Sequence, residues 1–387
     1  MEKLYYENSY TKWFSARVTS CVEGKKSLYE VTLDQTAFYP EGGGQPFDMG
    51  TLGEAHVLEV HEKKGEVIHY ADKPLNVGDE VEGVLDWDRR YSHMQQHSGE
   101  HLLSGLVHRQ FGYDNVGFHM GQDEVTVDFN GPLTMEEATK LEQEANRLIY
   151  ANLPVTASYP TAEELKSMDY RSKKELTGQI RIVEIPGGDL CACCGTHVRF
   201  TGEIGIVKVV SLTNYKGGVR MGILCGFRAL MDYDKKQRQV LTISNQLSAK
   251  PDCIEQAVEK LKAKNHETED KLHLLYQTLF QLKSDHMPDS KEPLLIMEEN
   301  LTPVLLRQFC TLLYERGKGR IVLVCSEEQG TWKYALGSAL EDVRFVSKKL
   351  NSQLNGKGGG SSLMVQGTFQ AAKEDIERVW KQAAELT

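Results

Sequence analysis

The chain lacks any apolar run approaching the ~18 residues that would span a bilayer. Its N-terminus, MEKLYYENSYTKW, lacks the hydrophobic stretch that opens a secreted precursor. Neither membrane insertion nor secretion is expected, and the reading places the chain in the cytoplasm. Cysteine is scarce, eight in 387 residues, and three crowd into Cys191–Cys194, so no disulfide framework is expected. Positive charge is in deficit: 45 Lys and Arg face 55 Asp and Glu, a net charge of −10. That argues against a general nucleic-acid binder but leaves room for local basic surfaces. Arg171, Lys173, Lys174 and Arg181 form one such cluster, and Lys318, Arg320, Arg344, Lys348, Lys349 and Lys357 another. Charge runs are usually solvated faces, and here they are also candidate phosphate contacts. Glycine is missing from residues 229–285. No G-x4-G frame precedes Lys357 and no Ser or Thr follows it, so the glycine run there implies no nucleotide triphosphatase.

Two short motifs stand out against this background. His97-Ser98-Gly99-Glu100-His101 and Cys193-Cys194-Gly195-Thr196-His197 each place two metal ligands four residues apart. The first lies where Leu102, Leu103, Leu106 and Val107 recur at helical spacing, and on a helix positions i and i+4 share a face. The second follows Pro186-Gly187-Gly188, a turn signal, and is expected on a loop. Either motif alone is weak, because two His at that spacing are more often an ordinary surface or core pair. Together they supply the ligand number and type of a mononuclear zinc site. His93 also stands four residues before His97, so the spacing alone allows His93/His97 as the helix pair.

At ~100–200 residues per domain the length suggests two to four domains, and the pattern is α+β. Residues 1–90 carry short segments of high β propensity, Ala16–Val22, Leu28–Leu33, His56–Val60, Val67–Tyr70 and Val81–Leu85, between turn residues. A compact barrel fits that density. Residues 91–228 mix the His-bearing helix, a strand at Val125–Phe129, a helix at Met135–Tyr150 and strands near Ile180–Glu184 and Ile204–Val210. Residues 229–287 read as two charged helices cut at Pro251, with Ile254, Val258, Leu261, Leu272, Leu275, Leu279 and Leu282 in a heptad-like seam. Such a hairpin is a spacer or dimerisation element, unless the seam packs on its own domain. Residues 288–387 read as a small α/β unit. Its run Asn355-Gly356-Lys357-Gly358-Gly359-Gly360-Ser361-Ser362 is expected to be a loop offering backbone N–H groups to a phosphate.

The run Thr36-Ala37-Phe38-Tyr39-Pro40-Glu41-Gly42-Gly43-Gly44-Gln45-Pro46-Phe47-Asp48 resembles the glycine motif of alanyl-tRNA synthetase editing domains and their free-standing relatives. Arg90, Met94, His97, His101, Leu102 and Leu103 are similar to their zinc-binding helix. Cys193-Cys194-Gly195-Thr196-His197-Val198 and Thr201-Gly202-Glu203-Ile204-Gly205 resemble their second zinc motif. Gly218-Val219-Arg220 and Gly226-Phe227-Arg228-Ala229-Leu230 continue the match. The spacer and the glycine run resemble the synthetases' C-terminal domain. An aminoacylation domain would need several hundred further residues before position 1, so the chain looks like the long form of the stand-alone editing proteins.

The resemblance implies four parts: a β-barrel over 1–90, a zinc-containing editing domain over 91–228, a helical hairpin or coiled-coil spacer over 229–287, and an α/β tRNA-binding domain over 288–387. It implies one zinc ion per chain on His97, His101, Cys193 and His197, leaving His93, Cys191 and Cys194 outside. It implies hydrolysis of Ser-tRNA(Ala), and of Gly-tRNA(Ala), in trans, by a homodimer. Alanine and serine differ by one hydroxyl, which a tolerant pocket rejects only ~10²-fold, so a second site must read that hydroxyl. Thr36 is assigned the seryl hydroxyl and Gln45 substrate positioning; Gly42, Gly43 and Gly44 admit the substrate to the backbone. Arg220, Lys357, Gly358 and Gly359 are further candidate substrate contacts. Glu100 is the candidate base for water, or else it points into solvent. Glu100 also completes an H-x-x-E-H pattern, which gives a zinc metallopeptidase as a remote alternative. A tRNA-binding adaptor with an inactive site is the other alternative.

Overall fold

The computed structural model describes residues 1–24, 27–121, 123–172 and 178–384. Lys173 and Lys174 of the first basic cluster lie outside the described residues. The chain divides into two units, Met1–Thr242 and Ile243–Thr387.

In the first unit, strands Trp13–Glu23, Tyr29–Leu33, Glu66–Ala71, Ala55–Lys63, Gly50–Leu52 and Glu80–Leu85 close in that order into an antiparallel barrel. Alternation dictates its inside: Phe14, Ala16 and Val18 are buried while Trp13, Ser15 and Arg17 face out. These side chains share a core with Val31, Leu33, Phe38, Leu52, Val57, Val60 and Val67. Residues Glu2–Lys3 add a short parallel pairing to Gln35–Thr36.

The barrel chain runs into helix Trp87–Phe111. Asp86 caps it by accepting the Arg89 N–H at 3.1 Å, and Gly112 ends it with φ +70°. Every residue from His93 to Val107 on this helix is buried, so it is covered on all sides rather than along one stripe. Such enclosure requires small residues at the tightest contacts. A Cβ on Gly105 would meet the backbone of Gly188 and Asp189. The helix shares one core with helix Met135–Tyr150 and with an antiparallel sheet ordered Val207–Tyr215, Gly218–Cys225, Val125–Phe129, Asn115–Met120. A three-stranded sheet, Thr156–Ser158, Ile182–Ile185 and Asp189–Ala192, leads straight into the cysteine loop. Arg90 ties these parts together. Wholly buried, it donates to Asp48, to the Ala37 carbonyl and, at 2.9 Å, to the Ser9 carbonyl.

The second unit is a five-stranded sheet ordered Leu294–Glu299, Val322–Glu328, Thr331–Gly337, Met364–Phe369, Lys357–Gly360. The first pair is parallel and the others antiparallel. Strand alternation feeds two cores. Val322 and Val324 pack with helix Pro303–Glu315, whereas Leu323 and Cys325 pack with helices Arg344–Gln353 and Lys373–Ala384. The glycine run is therefore not the loop its composition suggests. Lys357–Gly360 is an exposed edge strand. Close packing explains Gly358: a Cβ there, or on Gly367 of the neighbouring strand, would collide with Tyr334, whose ring stacks 4.1 Å from Phe369.

Helix Ile254–Asp285 buries only Phe280 and Ser284. Phe280 stacks on Phe309 at 4.3 Å. The heptad-like seam does not pack on its own unit: Leu275 remains 67% and Leu282 53% exposed. No helix of the described residues is long and apolar enough to cross a membrane.

Candidate metal centre

One turn of the long helix and the loop after strand Asp189–Ala192 bring His97, His101, Cys193 and His197 together, with all four ligand atoms within 4.8 Å of one another. Cys193 Sγ lies 3.5 Å from His97 Nε2 and 3.4 Å from His197 Nε2. A tetrahedral first-row divalent ion, with sulfur at ~2.3 Å and nitrogen at ~2.0–2.1 Å, sets such edges at about 3.6 Å. The two sulfur–nitrogen edges thus match the spacing an ion would impose. His93 is buried elsewhere on the helix and is not one of the group, which removes the ambiguity left by its spacing.

Each imidazole is oriented through its other nitrogen. His97 Nδ1 donates to Gln45 Oε1 at 2.9 Å. The same oxygen accepts the Thr196 N–H at 3.2 Å, and Gln45 Nε2 donates to Thr196 Oγ1 at 2.9 Å. His197 Nδ1 faces Ser98 Oγ at 3.2 Å, and Ser98 also accepts the Val198 N–H. His101 Nδ1 sits 2.9 Å from Asp189 Oδ2, off the N–H axis. Arg171 clamps that carboxylate with two bonds of 2.7 Å. Arrangements of this kind fix the tautomer and aim the bare nitrogen at a metal. Arg181 donates to the carbonyls of Cys193 and Gly195 at 2.9 and 3.1 Å and so holds the loop. The Gly195 N–H donates to Cys193 Sγ at 3.3 Å.

The electrostatics agree with the geometry. Burial would raise the Cys193 thiol, but the rings of His97 and His101 outweigh it and hold the group well below its ordinary range, as a thiolate. Burial would lower His101, but the Cys193 thiolate and Asp189 raise it well above the usual imidazole value. Burial and the neighbouring rings drive His197 down to about 3. Burial would raise Asp189 too, yet His101 and Arg171 bring it down to about 2. A dication among these four donors would displace the protons they hold.

The other expected site residues have varied fates. Gly42 and Gln45 exchange backbone bonds of 3.1 and 3.0 Å across a tight turn, with Gly43 at φ +60° and Gly44 at φ +84°. A Cβ on Gly44 would run into Phe118, which itself stacks on His97. The turn delivers Gln45 to His97 and Thr196, so both ends of its amide are used within the protein. Thr36 is fully buried: its hydroxyl lies 2.8 Å from His69 Nε2 and accepts the Phe38 N–H at 3.1 Å. Glu100 is neither at the cluster nor in solvent. It is buried, and it accepts from Ser104 Oγ at 2.5 Å and from Asn115 Nδ2. Arg220 is paired with Asp128 by two bonds, 2.7 and 2.8 Å, and lies over the Tyr215 ring. Lys357, Gly358 and Gly359 belong to the second unit's edge strand. Cys191 is buried beside His101 and Asp189, and Cys194 is exposed.

Sequence reasoning missed Ser98, Thr196, Asp189 and His69 as partners. Ser98 and Thr196 sit inside the two motifs and were findable there. Nothing in the sequence pairs Asp189 with His101, or His69 with Thr36.

Two family descriptions match the chain: tRNA synthetases class II (A) over residues 6–89, and the threonyl and alanyl tRNA synthetase second additional domain over residues 180–221. The alanyl-tRNA editing protein AlaX-L of Pyrococcus horikoshii is 29% identical over 97% of this chain and 96% of its own length. The mouse alanyl-tRNA editing protein Aarsd1 is 27% identical over 98% and 95%. An alanine–tRNA ligase of Pyrobaculum neutrophilum is 31% identical over 97% of this chain but only 44% of the ligase. The solved C-Ala domain of Aquifex aeolicus alanyl-tRNA synthetase aligns with 24% of the chain at 20% identity and a TM-score of 0.22, too low to establish a shared fold. The resemblance read from the motifs therefore extends over nearly the whole chain.

Proposed function

We propose, from the premise that nearly all of this chain aligns with the free-standing alanyl-tRNA editing proteins, that it is a hydrolase acting in trans on mischarged tRNA(Ala). Its substrate is Ser-tRNA(Ala), with Gly-tRNA(Ala) as a second candidate, and the reaction is hydrolysis of the aminoacyl ester. The observation that carries this reading is the convergence of His97, His101, Cys193 and His197 at ion-holding distances. One soft sulfur and three imidazoles suit zinc. When bound there, zinc supplies a Lewis acid that orients or polarises an ester and acidifies water.

The chain's own residues set the stage for that chemistry. Gln45, Ser98 and Asp189 hold the three rings in register. Four protein donors would fill the coordination of a zinc ion held there, which favours orientation of the substrate over a permanently open position. Gly42–Gly44 form the glycine turn against which an ester could lie. Thr36 is assigned the seryl hydroxyl. It is closed to solvent, so this contact requires the covering side chains to draw back. Glu100, whose Oε1 accepts from Ser104 and Asn115, remains the candidate base for water.

The second unit is assigned to tRNA binding, and the exposed leucine seam to a homodimer. A cytoplasmic location fits an aminoacyl-tRNA substrate. The test is deacylation of Ser-tRNA(Ala), Gly-tRNA(Ala) and Ala-tRNA(Ala) by the full chain. Release of serine with alanine retained supports the reading. Equal rates on all three esters contradict selective editing.

A further inference from the structure

We infer that His69 is a positioning residue that makes Thr36 an acceptor only, and so sets the preference for a side chain that can donate a hydrogen bond. The inference rests on the reading of Thr36 as the seryl contact. His69 lies on barrel strand Glu66–Ala71 with its ring wholly inside, edge-on to Phe38. Its Nδ1 is 3.1 Å from the Val31 carbonyl, which can only accept, so Nδ1 carries the proton. Nε2 is then bare, and Thr36 Oγ1, 2.8 Å away, must donate to it. The same oxygen accepts the Phe38 N–H at 3.1 Å.

One lone pair of Thr36 remains. Toward a substrate it can accept but never donate. A seryl hydroxyl satisfies it, whereas an alanyl methyl leaves it unmatched, and sites built around a hydrogen bond discriminate strongly against analogues lacking the group. Burial lowers the His69 pKa to about 4, so the ring stays neutral and this polarity persists at neutral pH. A threonine free to rotate would present its proton as readily as its lone pair and would read a hydroxyl less selectively.

The test compares kcat/KM on Ser-tRNA(Ala) and Ala-tRNA(Ala) for wild type, Thr36→Val, His69→Met, His69→Gln and the Thr36→Val/His69→Met double variant. Thermal melting confirms that each is folded, and His69→Leu replaces the methionine variant if that one is not. Losing one neutral hydrogen bond is expected to lower seryl turnover roughly tenfold. Thr36→Val and His69→Met should each show that loss of seryl turnover, and the double variant should be no worse than Thr36→Val alone. His69→Gln, which retains an acceptor for Thr36, should keep most of the seryl preference. If Thr36→Val loses the preference while His69→Met keeps it, the inference about His69 fails and the reading of Thr36 stands. If Thr36→Val keeps the preference, the reading of Thr36 fails and the inference with it. If glutamine and methionine at 69 behave alike, the polarity argument is overturned.

Discussion

Three buried histidines of the first unit illustrate how burial and partners divide the work between ligand, support and core. Burial would lower the His101 pKa, but Cys193 and Asp189 push it well above the ordinary imidazole value. Burial, together with nearby charges at His93, drives His69 to about 4 and His93 to about 3. Those two values carry a stability consequence. An unfolded histidine takes up its proton near 6.5, so below that pH the unfolded state binds more protons than the folded one. Stability is full above pH ~6.5 and falls by about 1.4 kcal/mol per pH unit per group as pH drops toward 4. Urea midpoints at pH 7, 5.5 and 4.5 should decline in that order, and His69→Gln should make the decline shallower. An unchanged midpoint over this range would contradict the burial of both rings. At this scale the four ligands were legible, because thiol and imidazole at i, i+4 are a chemical pattern in sequence. Asp189 and His69 were not, since their partners lie far away in the chain and only the fold joins them.

The long histidine helix does the most to assemble the site. It can be buried on every side only because Gly99 and Gly105 carry no side chain where Cys225 and the Gly188–Asp189 backbone press against it. Gly105→Ala should push the helix from strand Asp189–Ala192, cost about 1–3 kcal/mol as overpacking does, and loosen the Asp189 contact to His101. Faster loss of metal to a chelator at unchanged secondary structure is the expected readout; wild-type retention would place Gly105 outside the site's support. Strand periodicity made the barrel elements readable: the segments at Ala16–Val22, Leu28–Leu33 and Val81–Leu85 fall within or overlap observed strands. The glycine run Lys357–Gly360 was read as a loop because glycine signals turns. Gly358 is instead demanded by the Tyr334 side chain and Gly360 by the backbone of Met364 on the neighbouring strand. Helix Arg344–Gln353 was seen only as part of a basic cluster, although Val346 and Leu350 anchor it in the core.

Over the whole molecule, each unit carries its own hydrophobic cores. A protein ending at Thr242 keeps all four metal ligands and their supports. It should bind metal like the full chain while losing affinity for tRNA(Ala); unchanged tRNA affinity would remove the role assigned to the second unit. The seam on helix Ile254–Asp285 calls for a partner, because an exposed leucine stripe of this length is costly in water. Light scattering should give twice the 43.6 kDa chain mass for wild type. Leu272→Glu with Leu279→Glu should halve it; a mass unaffected by these changes would take the seam out of the assembly. The seam itself was plain in the sequence from its 4-3 spacing, but spacing alone did not say whether it packed at home or faced outward.

On the proposed reading, the four-ligand cluster serves selective hydrolysis of a mischarged tRNA. The most direct test of that role is deacylation of Ser-tRNA(Ala) beside Ala-tRNA(Ala) by wild type and Cys193→Ala, with metal content measured on both. Wild type should hold one ion per chain and release serine but not alanine, and Cys193→Ala should lose both ion and activity. A metal-loaded wild type that binds tRNA(Ala) and leaves the seryl ester intact would contradict that role, as would a metal-free Cys193→Ala that still hydrolyses that ester.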